Sequence, residues 1–175
     1  MSTKASSDTF YNQFADDRAT GAGMRLVRIV SRKIFEFAEI KGGEHILEIG
    51  PGRGVFADIC LHQGLDYTAI EPNEKMANAL ERRGARVIRT TVPPLPATDE
   101  KSDVVVMNSV LEHMDSMNMA LQLAREVLAS LNAGGRFVVY VPDYANFVYH
   151  LGVNPVKHVI KNGSLVAKNR KVLRG

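Results

Sequence analysis

Cysteine is nearly absent: Cys60 is the only one in a chain of 175 residues. A single thiol cannot close an internal disulfide, so an oxidised, disulfide-stapled scaffold is excluded and a reducing, cytoplasmic setting is the expectation. Cys60 itself falls within a helix-patterned segment, where a small, buried, apolar role is expected rather than a reactive thiol. Long apolar runs are missing too, and nothing approaches the ~20 consecutive apolar residues of a membrane span. The polar start, residues 1–8, has neither the charge nor the apolar stretch of an export signal. Acidic residues are missing from the end: none follows Asp143, while Lys157, Lys161, Lys168, Arg170, Lys171 and Arg174 crowd the last nineteen residues. The net charge of +3 therefore belongs to a tail, because removing those six leaves 16 basic against 19 acidic side chains, or −3. That balance argues against a nucleic-acid face on the body. His45, His62, His150 and His158 lack metal-ligand spacing with other donors, so no metal site is expected. No internal repeat is present.

What the chain does have is an alternation of two periodicities. Met24 to Ile40 sets Leu26, Val30, Ile34, Phe37 and Ala38 at helical spacing among basic residues, predicting an amphipathic helix packed on a sheet. Strands follow at 45–50, 66–71, 85–89, 103–108 and 136–141, the first two leading to helices that stop near Gly64 and Gly84. A proline-rich loop covers 90–102, and a helix over 117–131 carries the stripe Leu121, Ala124, Val127, Leu128 and Leu131. Near-continuous apolar strands alternating with helices predict a doubly wound, mainly parallel α/β sheet covered on both faces. Right-handed crossovers put its ligand crevice at the carboxyl ends of the strands.

The most informative stretch runs from His45 to Phe56. The strand His45-Ile46-Leu47-Glu48-Ile49 ends in Gly50-Pro51-Gly52-Arg53-Gly54, and a helix pattern follows. Three glycines at alternate positions let the backbone turn through positive φ and approach a ligand closely. Twenty-one residues after Gly50, the second strand ends in Glu71, followed by Pro72. An acid about 20 residues beyond a glycine turn is placed to bind the hydroxyls of a ribose. The spacing departs from the dinucleotide pattern, because Val55 stands where that pattern wants a small residue. A nicotinamide dehydrogenase is thereby disfavoured.

The form Glu-x-Gly-x-Gly-x-Gly, from Glu48 to Gly54, resembles the first motif of the class I S-adenosylmethionine-dependent methyltransferases. Asp103-Val104-Val105-Val106-Met107-Asn108-Ser109-Val110-Leu111-Glu112-His113 is similar to that family's fourth strand and its following Leu-Glu-His. Leu131 to Val139 resembles its passage from helix to fifth strand, with Asn132-Ala133-Gly134-Gly135 as an αL helix cap. The resemblance covers about residues 40–143. It implies a Rossmann-like methyltransferase core of strand order 3-2-1-4-5, with S-adenosylmethionine as cofactor. In its terms Gly50, Pro51, Gly52 and Gly54 form the cofactor cradle, and Glu71 with Pro72 holds the ribose. Glu48 supports the loop, accepting bonds from loop amides or from Arg53. Asn108 and Ser109 face the methyl-transfer crevice, and Thr91 and Val92 line the adenine pocket, although Thr91 stands where the family often has an acid. His113 is the candidate catalytic base or orienting group, and Tyr11 and Phe14 are candidates to close over the cofactor.

On this reading residues 1–23 are an amino-terminal segment and 24–143 the cofactor-binding domain. Residues 144–175 are a short extension with the basic tail, either a trimmed family ending or a hairpin turned by Asn162-Gly163. The implied function is methyl transfer to a small-molecule acceptor whose identity the residues do not specify. Two other readings stay open: an RNA or protein methyltransferase anchored by the tail, and a non-catalytic cofactor-binding scaffold.

Overall fold

The computed structural model describes residue 12, residues 21–98 and 100–141, and the backbone of three strands at 158–161, 164–168 and 171–172. Helix α1, Gly21–Phe37, precedes strand β1, His45–Ile49; α2, Val55–His62, leads to β2, Asp66–Ile70. Then come α3, Glu74–Glu81; β3, Arg86–Ile88; β4, Ser102–Asn108; a 3₁₀ turn, Leu111–His113; α4, Met117–Ser130; and β5, Leu131–Tyr140. Strands β1 to β5 pair in parallel in the order 3-2-1-4-5. This is the doubly wound sheet that the alternation predicts.

The two faces of the sheet bury different residues of the same strands. Ile46, Tyr67, Ala69, Val104, Val106 and Val138 pack beneath α1, α2 and α3, with Ile34, Phe56, Cys60 and Leu80. Leu47, Ile49, Ile70, Val105, Met107 and Phe137 pack beneath α4, with Leu123 and Val127. Alternate strand residues thus serve opposite layers, so every position of β1 is buried. Cys60 is a buried free thiol of the first layer, and burial pushes its pKa well up.

Two local expectations need correction. The α4 stripe is centred on Leu123 and Val127, both fully buried, while Leu121 is 48% exposed. Leu121 and Leu123 differ by two positions, about 200° around a helix, so they face apart. The glycines after α4 are not its αL cap. The helix gives way at Leu131 to extended backbone (ψ 145°) that already pairs with Ser102, and Gly134 (φ 80°) lies within the irregularity before Arg136 meets Val104.

Beyond β5 the sheet continues through β6, His158–Lys161, β7, Ser164–Lys168, and β8, Lys171–Val172, all antiparallel. Lys161 pairs with Ser164, so β6 and β7 form an antiparallel hairpin; the expected turn residues, 162–163, lie outside the described residues. The described part of the extension is therefore a three-stranded meander, one strand more than a hairpin. Tyr11 and Phe14, expected to close over the cofactor, and the side chains of the basic tail lie outside the described residues. No helix among the described residues is long and apolar enough to cross a membrane.

Candidate cofactor site

At the carboxyl tips of β1 and β2, the glycine loop and Glu71 come into direct contact. The Gly52 N–H donates to Glu71 Oε2 at 3.3 Å, and the Asn73 N–H donates to Oε1 at 2.9 Å. The Gly50 N–H donates to Ile70 O at 3.0 Å, so the loop is also tied through its backbone to the end of β2. Glu71 is nearly buried, at 4% exposure. Burial raises its pKa, and the amide hydrogen bonds from Asn73 and Gly52 offset part of that rise. Asn73 positions itself as the N-cap of α3, its side chain accepting from the Met76 N–H at 3.1 Å. A rigid cap thus fixes the amide that holds one oxygen of the carboxylate. The Asn73 side chain also donates to Asn12 at 3.0 Å, which brings one point of the amino-terminal segment against the rim beside Glu71.

The loop can take this path only with glycine at its bends. Gly50 has φ 66°, and a Cβ there would lie 2.6 Å from Val110 Cγ2. Gly54 has φ 71°, and its Cβ would meet Leu80 Cδ2 at 2.5 Å. The outer side of the loop is fastened by Arg83, whose guanidinium donates to Arg53 O at 2.9 Å and pairs with Asp58 at 3.1 Å. Pro51 and Gly52 remain half-buried at the crest, and Pro72 is exposed beyond Glu71.

Glu48 lies below the crest, fully buried in the first core layer. Its partner is neither the loop amides nor Arg53 as expected: the Tyr67 hydroxyl donates to Glu48 Oε2. The parallel register places Ile46 opposite Tyr67 and Glu48 opposite Ala69, so Glu48 and Tyr67 share one face of adjacent strands. Desolvation raises the Glu48 pKa to about 8; the Tyr67 hydrogen bond opposes the rise and the nearby Glu71 charge adds to it. Burial and the Glu48 charge in turn push the Tyr67 hydroxyl well up. At neutral pH Glu48 is a protonated acid, leaving Glu71 as the ionisable carboxylate at the rim.

The tip of β4 completes the site. Asn108 and Ser109 are half-buried, and Ser109 sits at φ 58°, a left-handed conformation rarely held by a residue other than glycine, Asn or Asp. Two bonds hold it there: its N–H donates to Tyr140 O at 2.9 Å and its hydroxyl to Asn108 Oδ1 at 3.3 Å. The resulting turn sends Val110 back against Gly50. His113 is exposed on the 3₁₀ turn just beyond. Thr91 is exposed, and Val92 is half-buried against the α4-side core at the start of the long loop between β3 and β4.

The structure thus joins the glycine loop to Glu71 and seats Asn108 and Ser109 at a tip in the same sheet, next to β1. Sequence reasoning missed Tyr67, Val110 and Asn73. The Pro-Asn pair before α3 is a readable N-cap signal for Asn73, and Tyr67 is one strand register from Glu48. Nothing in the sequence marks Val110. Among the described residues, no group of three or more His, Cys, Asp or Glu side chains is arranged to hold a metal.

A 3-2-1-4-5 sheet with a bare-backbone loop on β1, bonded to an acid at the tip of β2, defines the class of Rossmann-like, S-adenosylmethionine-dependent methyltransferase folds. The chain belongs to the methyltransferase domain family, whose model matches residues 23–163. An uncharacterized methyltransferase of Mycobacterium sp. (strain KMS) is 30% identical over 132 residues, 74% of this chain and 48% of the relative. The chain thus spans about half the length of that curated relative. Among solved structures, the N-methyltransferase NodS from Bradyrhizobium japonicum WM9, in complex with S-adenosyl-L-homocysteine, superposes with a TM-score of 0.61 at 18% identity, covering 74% of this chain and 71% of NodS. A SAM-dependent methyltransferase from Archaeoglobus fulgidus gives 0.59 at 23% identity, covering 73% and 59%.

Proposed function

We propose that the chain transfers a methyl group from S-adenosylmethionine to a small-molecule acceptor. The observation that supports this most is the hydrogen bond from the Gly52 amide to Glu71, which brings ligand-facing backbone and a buried carboxylate to one point. Both Glu71 oxygens are held by amides, and each keeps a lone pair for a ribose hydroxyl. The cradle is empty of side chains at Gly50 and Gly54 for steric reasons of its own. The residues therefore fit the cofactor.

The bound cofactor supplies an electrophilic methyl group on its sulfonium. The chain's share of the work is alignment, because in-line displacement depends on holding the acceptor along one axis. Gly50, Pro51, Gly52 and Gly54 seat the methionine part, while Glu71, with Pro72 beside it, fixes the ribose. Thr91 and Val92 border the adenine. Asn108 and Ser109, on a backbone locked by Tyr140, face the reacting end, and His113 orients the acceptor or takes its proton. Protonated Glu48 ties β1 to β2 through Tyr67 below the loop without adding a second charge next to Glu71.

Calorimetric titration with S-adenosylhomocysteine tests the reading. Saturable, one-to-one binding in the micromolar range is expected. No heat of binding at high micromolar ligand contradicts it.

A further inference from the structure

The body of this chain is acidic by count, yet six of its sixteen basic residues line one face. Two adjoining open grooves, of about 560 and 770 Å³, run along the helices that cover the first core layer. They share Met24, Arg53 and Arg83. Arg28 and Arg32 of α1 line the larger groove, and Lys75 and Arg82 of α3 line the smaller. Among the described residues, five arginines and a lysine thus face two acids, Glu36 and Asp58, and His62. Asp58 is paired with Arg83 at 3.1 Å, and among the described residues Arg28, Arg32 and Arg82 form no ion pair. Neither groove includes Glu71, Asn108 or Ser109, while the smaller one reaches the tip of β1 at Gly52 and Arg53.

We propose that this arginine-lined double groove is a docking surface for an RNA strand, which it grips by the phosphates. Planar guanidinium groups suit bidentate contact with phosphate, and arginine outnumbers lysine here five to one. The cations lie along two consecutive concavities, a course that follows a chain of phosphates and that a flat lipid surface does not match. Their walls carry the half-buried Met24, Phe35, Val55 and Ile59, which offer bases apolar contact between phosphates. The smaller groove meets the glycine loop at Gly52 and Arg53, so a docked strand lies beside the cofactor site and borders it at Gly52. The inference holds whether the methyl acceptor is a free small molecule or part of the docked strand.

The test is fluorescence anisotropy with a labelled oligouridine at several salt concentrations, on the full chain saturated with S-adenosylhomocysteine. Binding is expected to weaken with salt at a log–log slope no steeper than about −4, since six cations release ~0.7 counterion each from single strands. The double variant R28E/R32E, on the exposed side of α1, is expected to lose about tenfold or more in RNA affinity while S-adenosylhomocysteine affinity stays the same. Should that variant melt early, R28Q/R32Q replaces it with the same expectation in weaker degree. No RNA binding at low salt, or binding that the variant leaves unchanged, overturns the proposal; the latter assigns the affinity to the carboxyl-terminal tail. Loss confined to phosphatidylcholine–phosphatidylglycerol vesicles, with RNA affinity unaltered, overturns it in favour of a membrane.

Discussion

Replacing Glu48 by Gln isolates the cost of burying an acid beneath the cofactor loop. In the folded chain burial raises the Glu48 pKa from 4.5 to about 8, despite the hydrogen bond from Tyr67. A folded-state pKa above the unfolded one means that the folded state binds the proton more tightly. Its contribution to stability is therefore complete below pH 4.5, falls as pH rises toward 8, and is fully lost above that. Each pH unit of the gap corresponds to ~1.4 kcal/mol, so the loss reaches about 5 kcal/mol as an order of magnitude. Glutamine keeps an acceptor for the Tyr67 hydroxyl and has no proton to lose. Urea denaturation from pH 5 to pH 9 reads the difference directly. The wild type is expected to lose stability steadily with pH relative to E48Q, the two nearly matching at pH 5 and the variant leading by several kcal/mol at pH 8. Glu71, whose pKa is raised as well, is present in both proteins, so the difference reads Glu48 together with its coupling to Glu71. Parallel stability curves for the two proteins would refute the assignment of Glu48 as a neutral, buried acid.

Gly50→Ala is expected to destabilise the chain by about 2–4 kcal/mol, combining a left-handed backbone with a Cβ driven into Val110. Adding Val110→Ala recovers the steric part and leaves the backbone part, as measured by chemical denaturation; no recovery contradicts the contact. In α4, Leu123→Ala is expected to cost about 2–5 kcal/mol and the exposed Leu121→Ala about 0.5 kcal/mol or less. Equal losses in thermal melts would restore the stripe that the sequence suggested.

Most of the fold was legible because the strands and glycines speak for themselves. The run from His45 to Ile49 is apolar apart from His45 and Glu48 and ends in glycine, which identifies a buried parallel strand and its turn without reference to anything distant. Glu71 was readable by its offset alone, since the chain length between adjacent strand tips is set by one helix and two turns. The α4 stripe was misread because Leu121 and Leu123 are both leucines, and which one faces the sheet depends on the helix's rotation against β4 and β5. Glu48 was correctly placed in a buried strand, but its partner required the register between β1 and β2. The arginine grooves escaped a count of charges altogether. Arg28, Arg53 and Arg83 are scattered along the chain, and only packing of α1 and α3 on either side of the loop collects them.

The account stands on a carboxylate and a stretch of bare peptide holding one ribose-bearing ligand together. Titrating S-adenosylhomocysteine into the wild type and Glu71→Ala measures that directly. The account predicts at least a tenfold rise in Kd for the variant, about 1.4 kcal/mol, with the stoichiometry kept at one. Equal dissociation constants would contradict it.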